Sequence, residues 1–217
     1  MKVYILAVLV LTTGCVQSTG GALVDFGMTA SGPASAVKGQ PYTFTTPENY
    51  RVTLTRAELT VGAVYLNQNS ATNYQVDPAC ILPGVYSGEV RGGRVIDVLD
   101  PTPQAFDTRG NGTDTQTLAA ELWLTGGDIQ ADTDATVVMN VAGRAERGAD
   151  AWPFEARVTI GQNRRVPPRD PALPGTNPLC KQRIISPIAT QLTLKNGGTL
   201  RLRVDPARWF DAVDFDE

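Results

Sequence analysis

The sequence predicts an all-β protein, an antiparallel β-sandwich of which a jelly roll is one form, with a short C-terminal helical turn. After residue 21, apolar and polar residues alternate in short runs with the period of two that is typical of strands. Gly, Pro, Asn and Asp separate these runs at intervals expected for strands joined by turns. The predicted strands lie at residues 22–30, 41–46, 51–61, 63–66, 85–91, 94–98, 118–124, 137–141, 152–160, 184–195 and 200–204.

The run that begins at residue 51 changes phase part-way along. Its apolar residues have even numbers at Val52 and Leu54, and odd numbers from Ala57 onward. Because successive side chains of a strand point to opposite faces, this change predicts a bulge or bend near residues 55–56.

Two pairs of glycines predict tight hairpin turns. Gly92 and Gly93 lie between two strand-like runs, and Gly197 and Gly198 follow Asn196 between the last two runs. Two-residue hairpin loops need positive φ, which Gly and Asn adopt most readily.

Residues 118–124 predict a strand with Glu121 and Trp123 on the face opposite its aliphatic residues. A helix from Thr113 is the alternative, because Thr113 and Gln116 have the spacing of a capping box. The many strands around this segment favour the strand.

The C-terminal residues predict one helical turn. Asp205 and Pro206 have the order of an N-cap and a first helical residue. The apolar side chains that would then cover one end of the core are those of Trp209, Phe210, Val213 and Phe215.

The first fifteen residues have the pattern of an export signal. Lys2 supplies a positive charge, and the apolar run at residues 3–11 is too short to span a bilayer. The run ends in Leu11, Thr12, Thr13, Gly14 and Cys15. This ending resembles the lipobox of bacterial lipoproteins, although Thr12 stands where that family usually has Leu. An ordinary secretory signal that is cleaved nearby, with Cys15 either removed or left as an unpaired thiol, is the alternative.

The resemblance implies a lipid anchor on an exported protein. In lipoproteins the cysteine sulfur receives a diacylglyceryl group, and cleavage before that cysteine makes it the mature N-terminus. We therefore expect a signal peptide at residues 1–14, a lipidated tether at residues 15–21 and a single β-sandwich domain at residues 22–217. Asp after the cysteine retains lipoproteins in the inner membrane, and Val16 stands there, so the resemblance implies the outer membrane, with the domain facing the periplasm or the cell surface.

Charge and composition exclude several classes of function. The chain carries 19 Lys and Arg against 22 Asp and Glu, for a net charge of −3, which argues against a nucleic-acid partner. It contains no histidine, which excludes Ser-His-Asp and Cys-His nucleophiles and histidine-based zinc or copper sites.

Cys80 and Cys180 are the two cysteines that remain after Cys15. Each lies in a proline-flanked segment, and an exported protein meets an oxidising compartment. The sequence therefore predicts a structural disulfide between them, which in the chain-entropy model contributes up to ~4.7 kcal/mol for a loop of about 100 residues.

Two acidic segments are candidates for a calcium site, because hard cations prefer several oxygens on a turning backbone. Turn formation by Asp and Asn is the alternative for both segments. The candidate ligands are Asp107, Asn111 and Asp114 in the first segment, and Asp128, Asp132 and Asp134 in the second.

The sequence favours a binding or structural role without catalysis. An aromatic side chain beside a carboxylate often forms a shallow sugar or peptide site, so Glu121 and Trp123 are binding candidates, with Trp123 in the core as the alternative. The partners we expect are the membrane, through the anchor, and an envelope protein or glycan. A glycan hydrolase is the alternative from another class, since it needs two carboxylates about 5–9.5 Å apart. Its candidates are the strand residues Glu58, Glu89, Glu121 and Glu155. A third alternative is a calcium-stabilised adhesion or carbohydrate-binding module, and the oligomeric state stays open.

Overall fold

A computed structural model describes residues 20–70, 84–126, 133–161 and 184–216. These residues form strands joined in one sheet, with a single short 3-10 helix, so the all-β prediction is confirmed. No helix among them is long and apolar enough to cross a membrane. The elements are β1 (Leu23–Ser31), β2 (Tyr42–Thr45), β3 (Arg51–Asn67), β4 (Tyr86–Asp97), β5 (Gln104–Ala105), β6 (Gly110–Thr113), β7 (Gln116–Leu124), β8 (Val137–Arg147), β9 (Asp150–Thr159), β10 (Ile184–Thr193), β11 (Thr199–Arg203) and the 3-10 helix (Pro206–Phe210).

The sheet is organised around β3. The first part of β3 pairs with β2 and β8, and β9 pairs with β8; we call this region the short half of the sheet. The last part of β3 pairs with β4 and β7 in the order β10-β7-β3-β4-β6-β1-β11, which we call the long half. Among the described pairs only β1 and β11 run parallel. Side chains from both halves meet in one hydrophobic core, which makes the fold sandwich-like.

Two irregularities in β3 decide which of its residues enter the core. The pairing with β8 shifts between Leu54 and Arg56, which confirms the predicted bulge. A second shift, in the pairing with β4, lies between Val61 and Ala63. The core residues therefore change from even to odd numbers and back again: Val52 and Leu54, then Ala57, Leu59 and Val61, then Val64 and Leu66.

The hairpin predicted at Gly92 and Gly93 is wrong. β4 runs through both glycines without a break, and they lie opposite Gly62 in the second irregularity of β3. Gly92 has a φ of 125°, and a Cβ at this position would lie 2.7 Å from Thr108 Oγ1. A glycine suits a bulge for the same reason that it suits a hairpin turn, since both can require positive φ.

The turn predicted at Asn196, Gly197 and Gly198 forms, but the strands beside it do not pair with each other. β10 pairs with β7 and β11 pairs with β1, at opposite ends of the long half. The turn instead binds β1: the Gly197 N–H donates to the Asp25 carbonyl at 2.7 Å. The Gly27 N–H donates to the Gly198 carbonyl at 2.8 Å. The predicted hairpin is therefore wrong, although its turn is correct.

The C-terminal residues close the short half of the sheet. The Asp205 carboxylate accepts a hydrogen bond from the Ala207 N–H at 3.1 Å and Pro206 follows it, which confirms the predicted cap and helical turn. Phe210 is buried in the core. The other residues predicted to cover the core are partly buried and pack against the core: Trp209, Val213 and Phe215.

Tyr50 links this C-terminal cover to the sheet. Its side chain is fully buried, and its hydroxyl donates to Asp214 at 2.5 Å. Its ring lies edge-on to Trp152 and Phe215, and the Arg147 guanidinium lies 4.3 Å from the ring centre. Burial raises the pKa of the Tyr50 hydroxyl, and the hydrogen bond to Asp214 adds to this rise.

Replacing Gly62 with Ala should destabilise the fold. The new Cβ would lie 2.1 Å from Thr125 Cγ2 and 2.5 Å from the Gly126 carbonyl oxygen, so the backbone must move. We expect a loss of about 1–3 kcal/mol in the free energy of unfolding, measured by urea denaturation. Gly27→Ala is the control, because its Cβ would meet Thr199 Oγ1 at an ordinary 3.6 Å. Equal losses in the two variants would contradict this account.

Asp100 fixes the turn that follows β4. Its side chain is 7% exposed and binds Lys38 Nζ at 2.7 Å. It also accepts hydrogen bonds from the Thr102 N–H at 2.9 Å and hydroxyl at 2.6 Å. The hydrogen bonds from Lys38 and then from Thr102 lower the pKa of Asp100 to about 2.

Stability should therefore depend on pH through Asp100. A carboxyl whose pKa is lower in the folded state stabilises the fold above its unfolded pKa of about 3.9, and loses this effect as the pH falls through its folded pKa. We expect wild type to have a higher urea midpoint than Asp100→Asn from pH 7 to about 4, and most of the difference to be lost by about pH 2. Asp107→Asn, whose side chain is 94% exposed, should match wild type at pH 7. A difference between wild type and Asp100→Asn that is as large at pH 2 as at pH 7 would contradict the assignment.

Candidate functional site

Polar residues form a row across the non-core face of the long half. Glu121 on β7 lies opposite Tyr65 on β3, which lies opposite Glu89 on β4. The row continues to Asn111 on β6 and Asp25 on β1. Directly paired residues share a face of the sheet, so these five side chains leave the same side.

Glu121 is a buried carboxylate at one end of this row. Glu121 is only 1% exposed. Asn67 Nδ2 donates to Oε1 at 3.3 Å, and the Tyr86 hydroxyl donates to Oε2 at 3.3 Å. A buried carboxylate is costly unless such donors compensate for its lost hydration, so Asn67 and Tyr86 are integral to the site.

Three aromatic rings pack together beside this carboxylate, on Tyr65, which is paired with Glu121, on Trp123 and on Tyr86. The ring of Tyr65 lies 4.3 Å from that of Trp123 and 5.6 Å from that of Tyr86. Trp123 is 8% exposed, whereas Tyr86 is 38% exposed. We call Tyr65, Asn67, Tyr86, Glu121 and Trp123 the Glu121 cluster.

The predicted pairing of Glu121 and Trp123 on one face agrees with the structure, but the expected shallow surface does not. Both residues are buried, so the most exposed part of the cluster is Tyr86. Sequence reasoning missed Tyr65, Asn67 and Tyr86. The available signal was that Tyr65 and Asn67 alternate with the aliphatic residues that follow Gly62.

A second candidate site lies on the outer face where the two halves of the sheet join. Here Glu58 lies between Asp97 on β4 and Asn140 on β8, and Asn140 lies opposite Arg157 on β9. A surface depression of about 270 Å³ opens at this place, and we call it the outer groove. It is lined by Glu58, Thr60, Val95, Val137, Met139, Asn140 and Arg157.

The outer groove combines hydrogen-bonding groups with apolar walls. Asn140 Nδ2 donates to Glu58 Oε2 at 2.8 Å, while Asn140 Oδ1 is buried and has no hydrogen-bond partner among the residues that the structure describes. An unpaired buried acceptor typically costs about 1–3 kcal/mol, so a water molecule or a ligand donor would stabilise it. Val95 and Val137 are 57% and 37% exposed. The groove therefore offers acceptors, the Arg157 donor and exposed aliphatic surface to one ligand.

The glutamates considered for hydrolysis have different surroundings. Glu58 lies in the outer groove, and Glu155 forms an ion pair with Arg56. Glu89 and Glu121 lie on either side of Tyr65. Of these four, only Glu121 is buried.

The described residues of the first calcium candidate are engaged separately. Asp107 is 94% exposed and lies 3.9 Å from Arg94, while Asp114 accepts from the Ala22 N–H at 2.6 Å. Asn111 lies within β6. In the part of the chain that the structure describes, no three His, Cys, Asp or Glu residues are grouped as metal ligands would be.

Several predicted site residues lie outside the described residues. These are Cys15, Cys80, Cys180, Asp128 and Asp132. Asp134 is described, and its backbone carbonyl accepts from the Gly161 N–H at 2.9 Å. Lipidation, the disulfide and the second calcium cluster stay predictions.

Comparison with protein families, curated proteins and solved structures found no match. The most informative features of the chain itself are the export signal, the Glu121 cluster and the outer groove.

Glu121→Ala should destabilise the domain strongly. The change removes the acceptor of Asn67 Nδ2 and leaves a cavity in a fully buried position. We expect a loss of about 2–4 kcal/mol in the free energy of unfolding, measured by urea denaturation. Glu155→Ala is the matched control on another strand, because its side chain is 61% exposed and should cost less than about 1 kcal/mol. A Glu121→Ala variant as stable as the control would show that the cluster does not support the fold.

Proposed function

We propose that this chain is a lipoprotein of the bacterial outer membrane that binds another component of the cell envelope without catalysing a reaction. The observation that carries the proposal is the apolar run ending in Cys15, which has the form of a lipoprotein signal. Two or three acyl chains, each buried methylene contributing about 0.8 kcal/mol, would anchor the protein stably.

The outer groove supports a binding role. Its acceptors, the Glu58 carboxylate and Asn140 Oδ1, suit a ligand that carries hydrogen-bond donors, and Arg157 suits an acceptor on the same ligand. Val95 and Val137 can contact aliphatic C–H groups. Sugar hydroxyls on a C–H-rich ring combine these properties, so an envelope glycan is the partner that fits best.

Several observations favour binding over hydrolysis. Glu58 accepts from Asn140, and Glu155 is paired with Arg56. Glu121 accepts neutral donors in a buried site.

Lipidation is tested by replacing Cys15 in the full-length chain. Cells expressing wild type or Cys15→Ser are grown with an alkyne-labelled fatty acid, and label and membrane association are compared. We expect wild type to carry label and sediment with membranes, and Cys15→Ser to lose both. Cys80→Ser is the control that should keep the label. Unlabelled wild type, or labelled Cys15→Ser, would contradict the proposal.

Binding in the outer groove is tested by photo-crosslinking in intact cells. A benzophenone amino acid is placed at Val95 in the groove or at Val37, which is 63% exposed and does not line the groove. We expect a discrete envelope adduct from position 95, sensitive to glycan-degrading enzymes, and none from position 37. In the same assay Asn140→Leu should reduce the adduct several-fold by removing the acceptor. No adduct, or identical adducts at both positions, would contradict the groove's role.

A further inference from the structure

Three strand ends and one turn lie together where the tether enters the domain. Ala22 and Asp114 exchange hydrogen bonds, so the start of β1 is held against the turn between β6 and β7. Gln68, which follows β3, donates through Nε2 to Thr115 Oγ1 in that turn at 3.2 Å. Its backbone N–H donates to the Val85 carbonyl at 2.9 Å, next to the start of β4. We call this end of the long half the tether end.

The tether end exposes apolar side chains. Leu23 is 87% exposed, Val85 is 57% exposed and Tyr86 is 38% exposed. Leu23 on β1 lies opposite Thr113 on β6. The Thr113 hydroxyl in turn lies 3.5 Å from the Ser87 carbonyl oxygen on β4, near Val85 and Tyr86. These side chains therefore belong to one end of the sheet.

The covalent path to Cys15 limits how far this end can lie from the lipid. Cβ atoms placed on Gly20 and Gly21 would lie 3.2 and 3.0 Å from Thr115 Cγ2, so the described chain already contacts the tether end at residue 20. Five peptide steps join residue 20 to Cys15. Since an extended chain spans at most about 3.6 Å per residue, the end lies within about 18 Å of the cysteine.

We propose that the tether end rests on the phospholipid surface of the membrane that holds the anchor, with Leu23, Val85 and Tyr86 in the interfacial layer. Exposed aliphatic residues gain by leaving water there, and tyrosine is enriched at membrane interfaces because its ring is amphipathic. The inference rests on the proposed lipidation, which brings this end to the bilayer.

The valines near the two ends of β4 provide a matched test. Val85 and Val95 are both 57% exposed, and ten residues of strand separate them by about 30 Å. Each is replaced by Trp in the lipidated full-length protein, reconstituted in vesicles of phosphatidylethanolamine and phosphatidylglycerol. The emission of the added tryptophan is obtained by subtracting the emission of wild type from that of the variant. Brominated lipids quench tryptophan in the bilayer, and iodide quenches tryptophan in water.

We expect brominated lipid to quench about half of the added emission at position 85 and none at position 95. Iodide should quench position 95 more strongly than position 85. Leu23→Trp serves as a second reporter, so that a local disturbance at position 85 does not decide the result. Quenching by iodide alone at positions 85 and 23 would overturn the proposal. So would protection from both quenchers, which would indicate cover by protein.

Flotation of wild type and Cys15→Ser with the same vesicles distinguishes loss of the lipid anchor from loss of contact between the tether end and the membrane. If wild type floats and the Trp variants at positions 85 and 23 show no quenching by lipid, the proposed membrane contact is wrong and the lipid anchor is retained. Wild type that does not float overturns the anchor and the surface together.

Discussion

The fold depends on a close approach of backbones at Gly62. The pairing of β3 with β8 ends at Leu59 and its pairing with β7 begins at Ala63, so Gly62 lies where β3 changes partners. Thr125 and Gly126, which follow β7, lie where a side chain of residue 62 would be. The partner strand β4 accommodates the same point with Gly92 and Gly93. Any side chain at Gly62 would push these segments apart, so a single residue without a Cβ lets one strand serve both halves of the sheet.

The same strand also decides where the two candidate sites lie. Before its first bulge the core residues of β3 have even numbers, between the irregularities they have odd numbers, and beyond Gly62 they are even again. Glu58 therefore points outward in the middle segment, toward the outer groove. Tyr65 and Asn67 point outward in the last segment, toward the Glu121 cluster. One more or one fewer inserted residue would turn each set into the core.

The sequence reveals those features of the fold that are encoded locally. Period two identified the strands, the phase change after Leu54 identified a bulge, and Asp205 followed by Pro206 identified the helical turn. Which strands pair with each other is not encoded locally. Gly92 and Gly93 satisfy a hairpin and a bulge equally well, and the turn at Asn196 says nothing about the strands that pair beyond it.

The candidate sites were predictable only in part, for the same reason. Period two placed Glu121 and Trp123 on one face, but their burial depends on neighbours that are distant in sequence, such as Asn67 and Tyr86. The outer groove joins β3, β4, β8 and β9, so no single run of sequence contains it. A polar residue on a strand identifies a face of the sheet, and only the tertiary arrangement decides whether that face meets solvent.

The length of β4 relates the two proposed contacts to each other. Val85 precedes its first residue and Val95 lies near its last, so one continuous strand runs from the tether end to the outer groove. β3 pairs with this strand along most of its length, and β6 pairs with it at Gly88 and Glu89, so hydrogen bonds to neighbouring strands restrain it. If the tether end rests on the bilayer, this strand holds the groove about 30 Å along the chain from the lipid surface, where an envelope glycan can reach it. In that arrangement the irregularity at Gly92, which lies between the two ends of the strand, would also influence the direction in which the groove opens relative to the membrane.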